Sequence, residues 1–217
     1  MKPTTLPKTL SLILLCAFLS NLPLGFSNDV EQVVDINGNP IFPGGKYYLV
    51  PAIVGPPGGG VRLGRTGNSH CPVTVLQEFS EVQQGSPVKF SIPGISPGII
   101  FTGTPLDIEF TETPDCAESP NWVAFVDNEI QKACLGIGGP EQHPGQQTID
   151  GKFHIEKYRF GYKLVFCIRG SDTCFDIGTY DAHKGEGGRR LNLTEHAPFE
   201  VVFVEASHFD AVIKSVA

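Results

Sequence analysis

Short runs of alternating apolar and polar residues, the pattern of half-buried β-strands, recur along most of the chain. Nine runs are clear, at residues 46–50, 73–79, 88–92, 106–110, 122–126, 153–158, 163–168, 174–178 and 199–204. Weaker runs near 61–65, 99–103, 131–135 and 189–193 bring the count to twelve or thirteen. Turn-forming clusters of Gly, Pro and Asn separate the runs, and no ten-residue segment has helical spacing. The pattern predicts one all-β domain whose sheet closes enough to protect its edges.

The composition supports this prediction and narrows the choice of partner. The 217 residues include 25 Gly and 18 Pro, a density that favours frequent chain reversals over long helices. The 16 basic residues face 23 acidic ones, giving a net charge of −7. Nucleic-acid binding depends on clustered Lys and Arg, so this balance argues against a nucleic-acid partner.

The first 27 residues have the layout of a secretory signal peptide. Lys2 and Lys8 precede an apolar run over residues 10–19, and the small residues Gly25 and Ser27 follow it. The run is too short to cross a membrane, which needs roughly twenty apolar residues. Cleavage after Ser27 leaves a domain of residues 28–217 with 14 basic and 23 acidic side chains, a net charge of −9. We therefore expect a secreted or vacuolar protein without a membrane anchor.

Five cysteines remain after that cleavage, in a compartment that favours disulfides. They are Cys71, Cys116, Cys134, Cys167 and Cys174. Five cysteines allow fifteen ways of forming two bridges and one thiol. Cys167 and Cys174 flank a polar turn, so a bridge between them can close a hairpin, and Cys134 lies in an alternating run that suits a small buried residue. The sequence contains no Cys-x-x-Cys motif, so it gives no indication of a zinc site or of thioredoxin-type redox chemistry.

No catalytic constellation is convincing. Residues 94–98 match the Gly-x-Ser-x-Gly pattern of α/β-hydrolases, but Pro97 lies inside the motif and an apolar strand-like run follows it where a helix would be required. The histidines, His70, His143, His154, His183, His196 and His208, have no metal-binding spacing. The sequence therefore predicts a protein that is not an enzyme and binds no metal or other cofactor.

One long motif carries a family resemblance. Residues 33–41 read Val-Val-Asp-Ile-Asn-Gly-Asn-Pro-Ile, and Tyr-Tyr-Leu follows at 47–49. Further matching segments lie at residues 58–61, 71–75, 162–167, 174–178 and 189–191. Together they resemble the plant Kunitz family of protease inhibitors, the soybean trypsin inhibitor-like legume type, over essentially the whole domain.

The resemblance implies a fold and a cysteine pairing. It implies a β-trefoil of about twelve strands with pseudo-threefold symmetry, stapled by disulfides. It also implies that the first cysteine pairs with the second and the third with the fourth. The bridges would then be Cys71–Cys116 and Cys167–Cys174, with Cys134 left as a free thiol.

The resemblance further implies inhibition of serine endopeptidases through an exposed, substrate-like loop. That loop corresponds to residues 92–101, with Ser96, Pro97, Gly98, Ile99 and Ile100 as the candidate reactive residues. Its alignment places either Gly98 or Ile99 in the primary pocket of the protease. Neither is basic, so trypsin is not expected to be the main target. Pro43 stands where the family has an asparagine that supports the loop from inside.

Several alternatives stay open at this point. The partner could be a trypsin-, chymotrypsin-, elastase- or subtilisin-like enzyme, and another loop, near Lys132 or at residues 170–173, could carry the inhibition. A non-inhibitory seed storage or defence protein, or a miraculin-like binding protein, is the alternative on the same scaffold. We expect a monomer. Asn192 in Asn-Leu-Thr is a possible glycosylation site, although it lies in a predicted strand.

Overall fold

The computed structural model describes residues 30–53, 58–94, 98–182 and 185–207. The proposed signal peptide lies outside these residues, and so do Ser96 and Pro97. Thirteen strands are present in the described part of the chain: β1 (Lys46–Pro51), β2 (Val61–Gly64), β3 (Thr74–Glu78), β4 (Val88–Ser91), β5 (Asp107–Phe110), β6 (Trp122–Asp127), β7 (Lys132–Ile137), β8 (Gln147–Ile149), β9 (Gly151–Tyr158), β10 (Gly161–Ile168), β11 (Cys174–Tyr180), β12 (Gly188–Thr194) and β13 (Val201–Glu205). A 3₁₀ helix covers Pro140–Gln142. No helix in the described ranges is long and apolar enough to cross a membrane.

The strands form one antiparallel sheet that closes on itself. Its order is β5-β4-β1-β13-β10-β11-β12-β3-β7-β6-β8, with β2 paired to β3, β9 paired to β10, and an additional pairing of β12 with β7. An isolated bridge between Glu109 and Asn121 joins β5 to the residue before β6, and a second between Leu106 and Phe153 joins β5 to β9. Closure leaves few unpaired edges, as the sequence pattern predicts.

The core fills the space inside this closed sheet with aliphatic and aromatic side chains. Two chains of aromatic rings cross it, with successive centroids 5.1–6.2 Å apart: Tyr47–Phe90–Phe203–Tyr162 and Phe110–Trp122–Phe153–Phe166. In many of the strands alternate residues point inward, although β3 and β7 each bury four consecutive residues. In β1, for example, Tyr47 and Leu49 are buried whereas the neighbouring Lys46 is exposed. This is why a period of two in the sequence identifies the strands.

The all-β prediction is confirmed, with two local differences. The apolar run at 99–103 is not a strand, since only Phe101 makes an isolated bridge, to Gln32. Conversely, β8 has no apolar pattern because its residues are Gln, Thr and Ile, and it forms by pairing with the edge of β6.

Two disulfides staple the fold. Cys71 is bonded to Cys116, 45 residues away, and Cys167 to Cys174 across the β10–β11 hairpin. Cys134 is the free cysteine of the described residues and is buried on β7. These are the bonds that the resemblance implies.

Candidate functional site

The loop between β4 and β5 leaves the core at one isoleucine and returns at another. Ile92 packs against the core at the start, and Ile100 is fully buried at the end. Between them Pro93 and Gly94 are exposed, whereas Gly98 and Ile99 are half-buried. Ile100 was predicted as a reactive residue, and this is corrected: its side chain belongs to the core, so it anchors the loop and presents no side chain to a partner.

A closed ring of three backbone hydrogen bonds fixes the returning end of the loop. The Ile100 N–H donates to the Ile41 carbonyl at 3.0 Å, the Ile41 N–H to the Val33 carbonyl at 2.9 Å, and the Val33 N–H to the Ile100 carbonyl at 2.9 Å. All three side chains are fully buried. The loop cannot shift at this end without breaking several buried hydrogen bonds, each of which is expensive to leave unmade.

The leaving end of the loop is held by the turn at residues 42–45. The Gly44 N–H donates to the carbonyl of Phe90 on β4 at 2.8 Å, and the Gly45 N–H closes the turn on the Phe42 carbonyl at 3.1 Å. The Phe42 N–H donates to the Tyr47 hydroxyl at 3.1 Å. Glycine is required at 45, because a Cβ there would lie 2.6 Å from the Tyr47 ring.

Pro43 lies at the head of that turn and is half-buried. Proline has no side-chain donor, so it cannot support the loop as the family's asparagine is expected to. The backbone of the same turn nevertheless reaches Phe90, and residue Ile41 just before it accepts from Ile100. One short segment, residues 41–44, therefore contacts both ends of the loop through main-chain atoms alone.

The turn before this segment is also tied down by buried groups. Asp35 is buried, and one of its carboxylate oxygens accepts the N–H groups of Asn37 and Asn39, each at 2.8 Å. The Val34 N–H donates to the Tyr162 hydroxyl at 3.0 Å. The signature of residues 33–49 thus builds the platform under the loop. The resemblance points to Pro43 alone as a supporting position, and the roles of Asp35, Ile41 and Tyr47 are missed.

The loop and the turn beneath it are poor in charge. Residues 36–45 and 91–106 include no Asp, Glu, Lys, Arg or His, in a chain that is otherwise acidic. Buried Asp35 and exposed Lys46 border that turn, and exposed Glu31 is joined through its backbone to Thr102. A partner that contacts this end of the molecule therefore meets mainly apolar surface and backbone groups.

The alternative loops lie elsewhere on the sheet. Lys132 begins β7, and its ammonium group lies 4.6 Å from the centre of the Tyr180 ring. Residues 170–173 form the exposed turn of the hairpin that the Cys167–Cys174 bond closes. Neither segment is anchored between two core residues in the way that the 93–99 loop is.

The remaining predicted site residues are buried in the sheet. Asn192 is buried on β12, and its side-chain amide donates to the Leu193 carbonyl at 3.0 Å. A glycan on that nitrogen would have to displace packed strand residues. Cys134 lies opposite Asn192 on β7, and burial raises the pKa of its thiol to about 11.

Known proteins are similar to this chain in sequence. The family model described as trypsin and protease inhibitor, of the legume Kunitz type, matches residues 33–205. The chain is 66% identical to a Kunitz-type trypsin inhibitor-like 2 protein of Pisum sativum over the full length of both. It is 59% identical to subtilisin inhibitor CLSI-II of Canavalia lineata, over 87% of this chain and 99% of that protein.

Solved structures are similar to this chain in fold as well as in sequence. The crystal structure of a Kunitz type trypsin inhibitor from Cicer arietinum is 69% identical and superposes with a TM-score of 0.79, covering 82% of this chain and 99% of that one. Soybean trypsin inhibitor in complex with porcine pancreatic trypsin is 31% identical with a TM-score of 0.70, covering 81% and 99%. The fold is thus the β-trefoil, and the chain belongs to the legume Kunitz family of trypsin and protease inhibitors.

Proposed function

We propose that this protein inhibits serine endopeptidases by inserting residues 93–99 into the active-site cleft as a substrate-like loop. The observation that carries the proposal is that residues 41–44 hold the chain at both ends of the loop, through Phe90 before it and Ile100 after it, while Ile92 and Ile100 pack in the core. A loop already held in its bound shape loses little conformational entropy on docking, so ordinary contacts give tight binding. The catalytic groups of such a complex are those of the protease, and the inhibitor needs none of its own.

The absence of a basic residue in the loop narrows the class of protease that the loop can fit. A trypsin-like pocket contains a buried carboxylate, which an uncharged residue at position 98 or 99 would leave unpaired at considerable cost. A pocket that accepts a small or aliphatic side chain has no such penalty. We therefore propose subtilisin-, elastase- or chymotrypsin-like enzymes as targets. The 59% identity to a subtilisin inhibitor supports the first of these.

A protease panel tests this proposal. The protein is titrated against subtilisin, pancreatic elastase, chymotrypsin and trypsin with a peptide substrate for each. We expect stoichiometric inhibition of at least one of the first three, and inhibition of trypsin that is on the order of a hundredfold weaker. Absence of inhibition of all four enzymes up to about 10 μM, a Kd that corresponds to only roughly 7 kcal/mol of binding, would contradict it and favour the storage or miraculin-like binding alternative.

We also propose that the mature protein begins after Ser27 and is secreted or vacuolar, and that it acts as a monomer. The positive start and apolar run of the first segment support secretion, and two disulfides suit an oxidising compartment. The mass of the protein from its source tissue, together with its N-terminal sequence, tests the cleavage site. Light scattering tests the monomer.

A further inference from the structure

Two exposed phenylalanines lie beside the returning end of the loop. Phe42 is 48% exposed and follows Ile41 directly, whereas Phe101 is 36% exposed and follows Ile100. Ile41 and Ile100 are joined to each other by a backbone hydrogen bond. The two rings are therefore placed beside the same fixed point, next to the loop that would enter a protease.

The backbone under both rings is held in place. Phe42 uses its N–H on the Tyr47 hydroxyl and its carbonyl on Gly45, and Phe101 forms a bridge with Gln32. Aromatic side chains on a fixed backbone have only two torsions to restrict, so they supply contact area at a small entropic cost. Exposed aromatic residues of this kind are frequent energetic centres of protein interfaces.

The segments that carry the rings are themselves uncharged. Residues 36–45 and 91–106 contain no ionisable group, although the domain as a whole carries a net charge of −9. Exposed Glu31, hydrogen-bonded to Thr102, and His154, whose ring contacts the Gly103 carbonyl, lie beside Phe101's segment. The rings therefore offer an apolar surface with few charges around it, which fits a partner surface that is itself apolar better than a basic one.

We propose that Phe42 and Phe101 form a second contact surface. This surface binds the apolar rim beside the active-site cleft of the target protease. This inference rests on the proposed inhibitory function and adds a partner surface to it. The loop occupies the cleft while the two rings cover the rim. Because the two rings are uncharged, the ratio of the double-variant to the wild-type inhibition constant should be nearly independent of ionic strength.

The test measures the inhibition constant for subtilisin with the variants Phe42→Ala, Phe101→Ala and the double variant. The matched control is Phe160→Ala. Phe160 is more exposed, at 79%, but lies in the β9–β10 turn, next to the end of β1 that is opposite to the loop. The double variant should weaken inhibition by at least about tenfold, as expected for loss of interface aromatics, and Phe160→Ala should change it less than about twofold.

Two further measurements separate binding from folding. Thermal unfolding should be similar for Phe42→Ala and the wild type, because its side chain is half in solvent. Phe42→Asp should weaken inhibition more than Phe42→Ala does, since a carboxylate would lose its hydration against an apolar rim. A ratio of the double-variant to the wild-type inhibition constant that is steady between about 0.05 and about 0.5 M salt completes the expected result.

The outcomes distinguish this inference from the proposed function. If the wild type inhibits subtilisin and the Phe42 and Phe101 variants inhibit it equally well, the second contact surface is wrong and the loop mechanism stands. A strong salt dependence of the ratio between the double-variant and wild-type inhibition constants would likewise contradict the apolar rim. If the wild type inhibits no enzyme of the panel, the proposed function itself fails, and the inference fails with it.

Discussion

At the scale of single residues, burial controls the chemical reactivity of Cys134. It is fully buried on β7, and desolvation is the largest cause that raises the pKa of its thiol to about 11. The nearby guanidinium of Arg190 acts in the opposite direction but does not offset burial. The thiolate, which is the reactive form, is therefore both scarce at neutral pH and inaccessible.

We predict that Cys134 does not react with a thiol reagent while the protein is folded. With a disulfide-exchange reagent at pH 8, native protein should release far less than one equivalent over minutes, and protein in guanidinium chloride should release one. The other four cysteines of the proposed mature domain, residues 28–217, are in disulfides and should release nothing under either condition. Rapid release of one equivalent from native protein would show that the thiol is accessible.

At the scale of elements, a buried ion cluster ties β12 to β6. The guanidinium of Arg190 on β12 is fully buried and pairs with Asp127 at the end of β6 and with Glu186 in the preceding turn. Asp127 also accepts backbone N–H groups from Ile130 at 3.2 Å and from Glu129 at 2.9 Å. Burial alone would raise the pKa of Asp127, but these hydrogen bonds and the guanidinium outweigh it and lower the pKa.

We predict that Asp127→Asn lowers the free energy of unfolding by about 3 kcal/mol at pH 7, because it removes one partner of a buried pair. Asp150→Asn is the control, since Asp150 and Arg169 form an exposed pair that should contribute less than about 1 kcal/mol. Urea unfolding measures both.

The pH dependence of this stabilisation has a definite sign. A carboxylate whose pKa is lowered by folding stabilises the protein above its unfolded pKa of about 3.9, and this contribution is lost as the pH falls through the folded value. The difference between wild type and Asp127→Asn should therefore be constant near neutrality and shrink below about pH 4. A difference that grows with acidity would contradict this assignment.

Across the whole molecule, the Cys71–Cys116 disulfide and the 93–99 loop lie toward opposite ends of the β4–β5 pair. Cys116 follows the end of β5 at Phe110, which pairs with Val88 at the start of β4. The loop leaves from the other end of β4, after Ser91. The longer disulfide therefore stabilises the fold without touching the platform under the loop.

We predict that replacing Cys71 and Cys116 together by Ser lowers the free energy of unfolding by about 4 kcal/mol, on the chain-entropy model for a long loop. Replacing Cys167 and Cys174 should cost about 2.5 kcal/mol, because that loop is short. At 25 °C, where both variants should still fold, their inhibition constants should match the wild type. A large loss of inhibition by folded Cys71→Ser/Cys116→Ser would show that the bond supports the loop.

Many of the strands could be predicted from the sequence because inward and outward residues alternate along them and turn residues mark their ends, whereas β8 has no such pattern. The hydrogen bonds that support the loop could not be predicted from the sequence. Val33, Ile41 and Ile100 form their ring of hydrogen bonds across up to 67 residues of chain. No local pattern indicates such a contact, and the same apolar run at 99–103 that reads as a strand is in fact a loop stem. Pro43 is a related case, because a prediction based on its side chain cannot detect support given by the main chain.

The central claim is that residues 93–99 act as the substrate-like loop, and the inhibition constant for trypsin of Ile99→Arg and Gly98→Arg tests it most directly. If a residue of this loop fills the primary pocket, one of these variants should gain at least about a hundredfold in affinity for trypsin, because the new guanidinium pairs with the pocket carboxylate. If both variants fold normally and inhibit trypsin no better than the wild type does, this loop is not the reactive site.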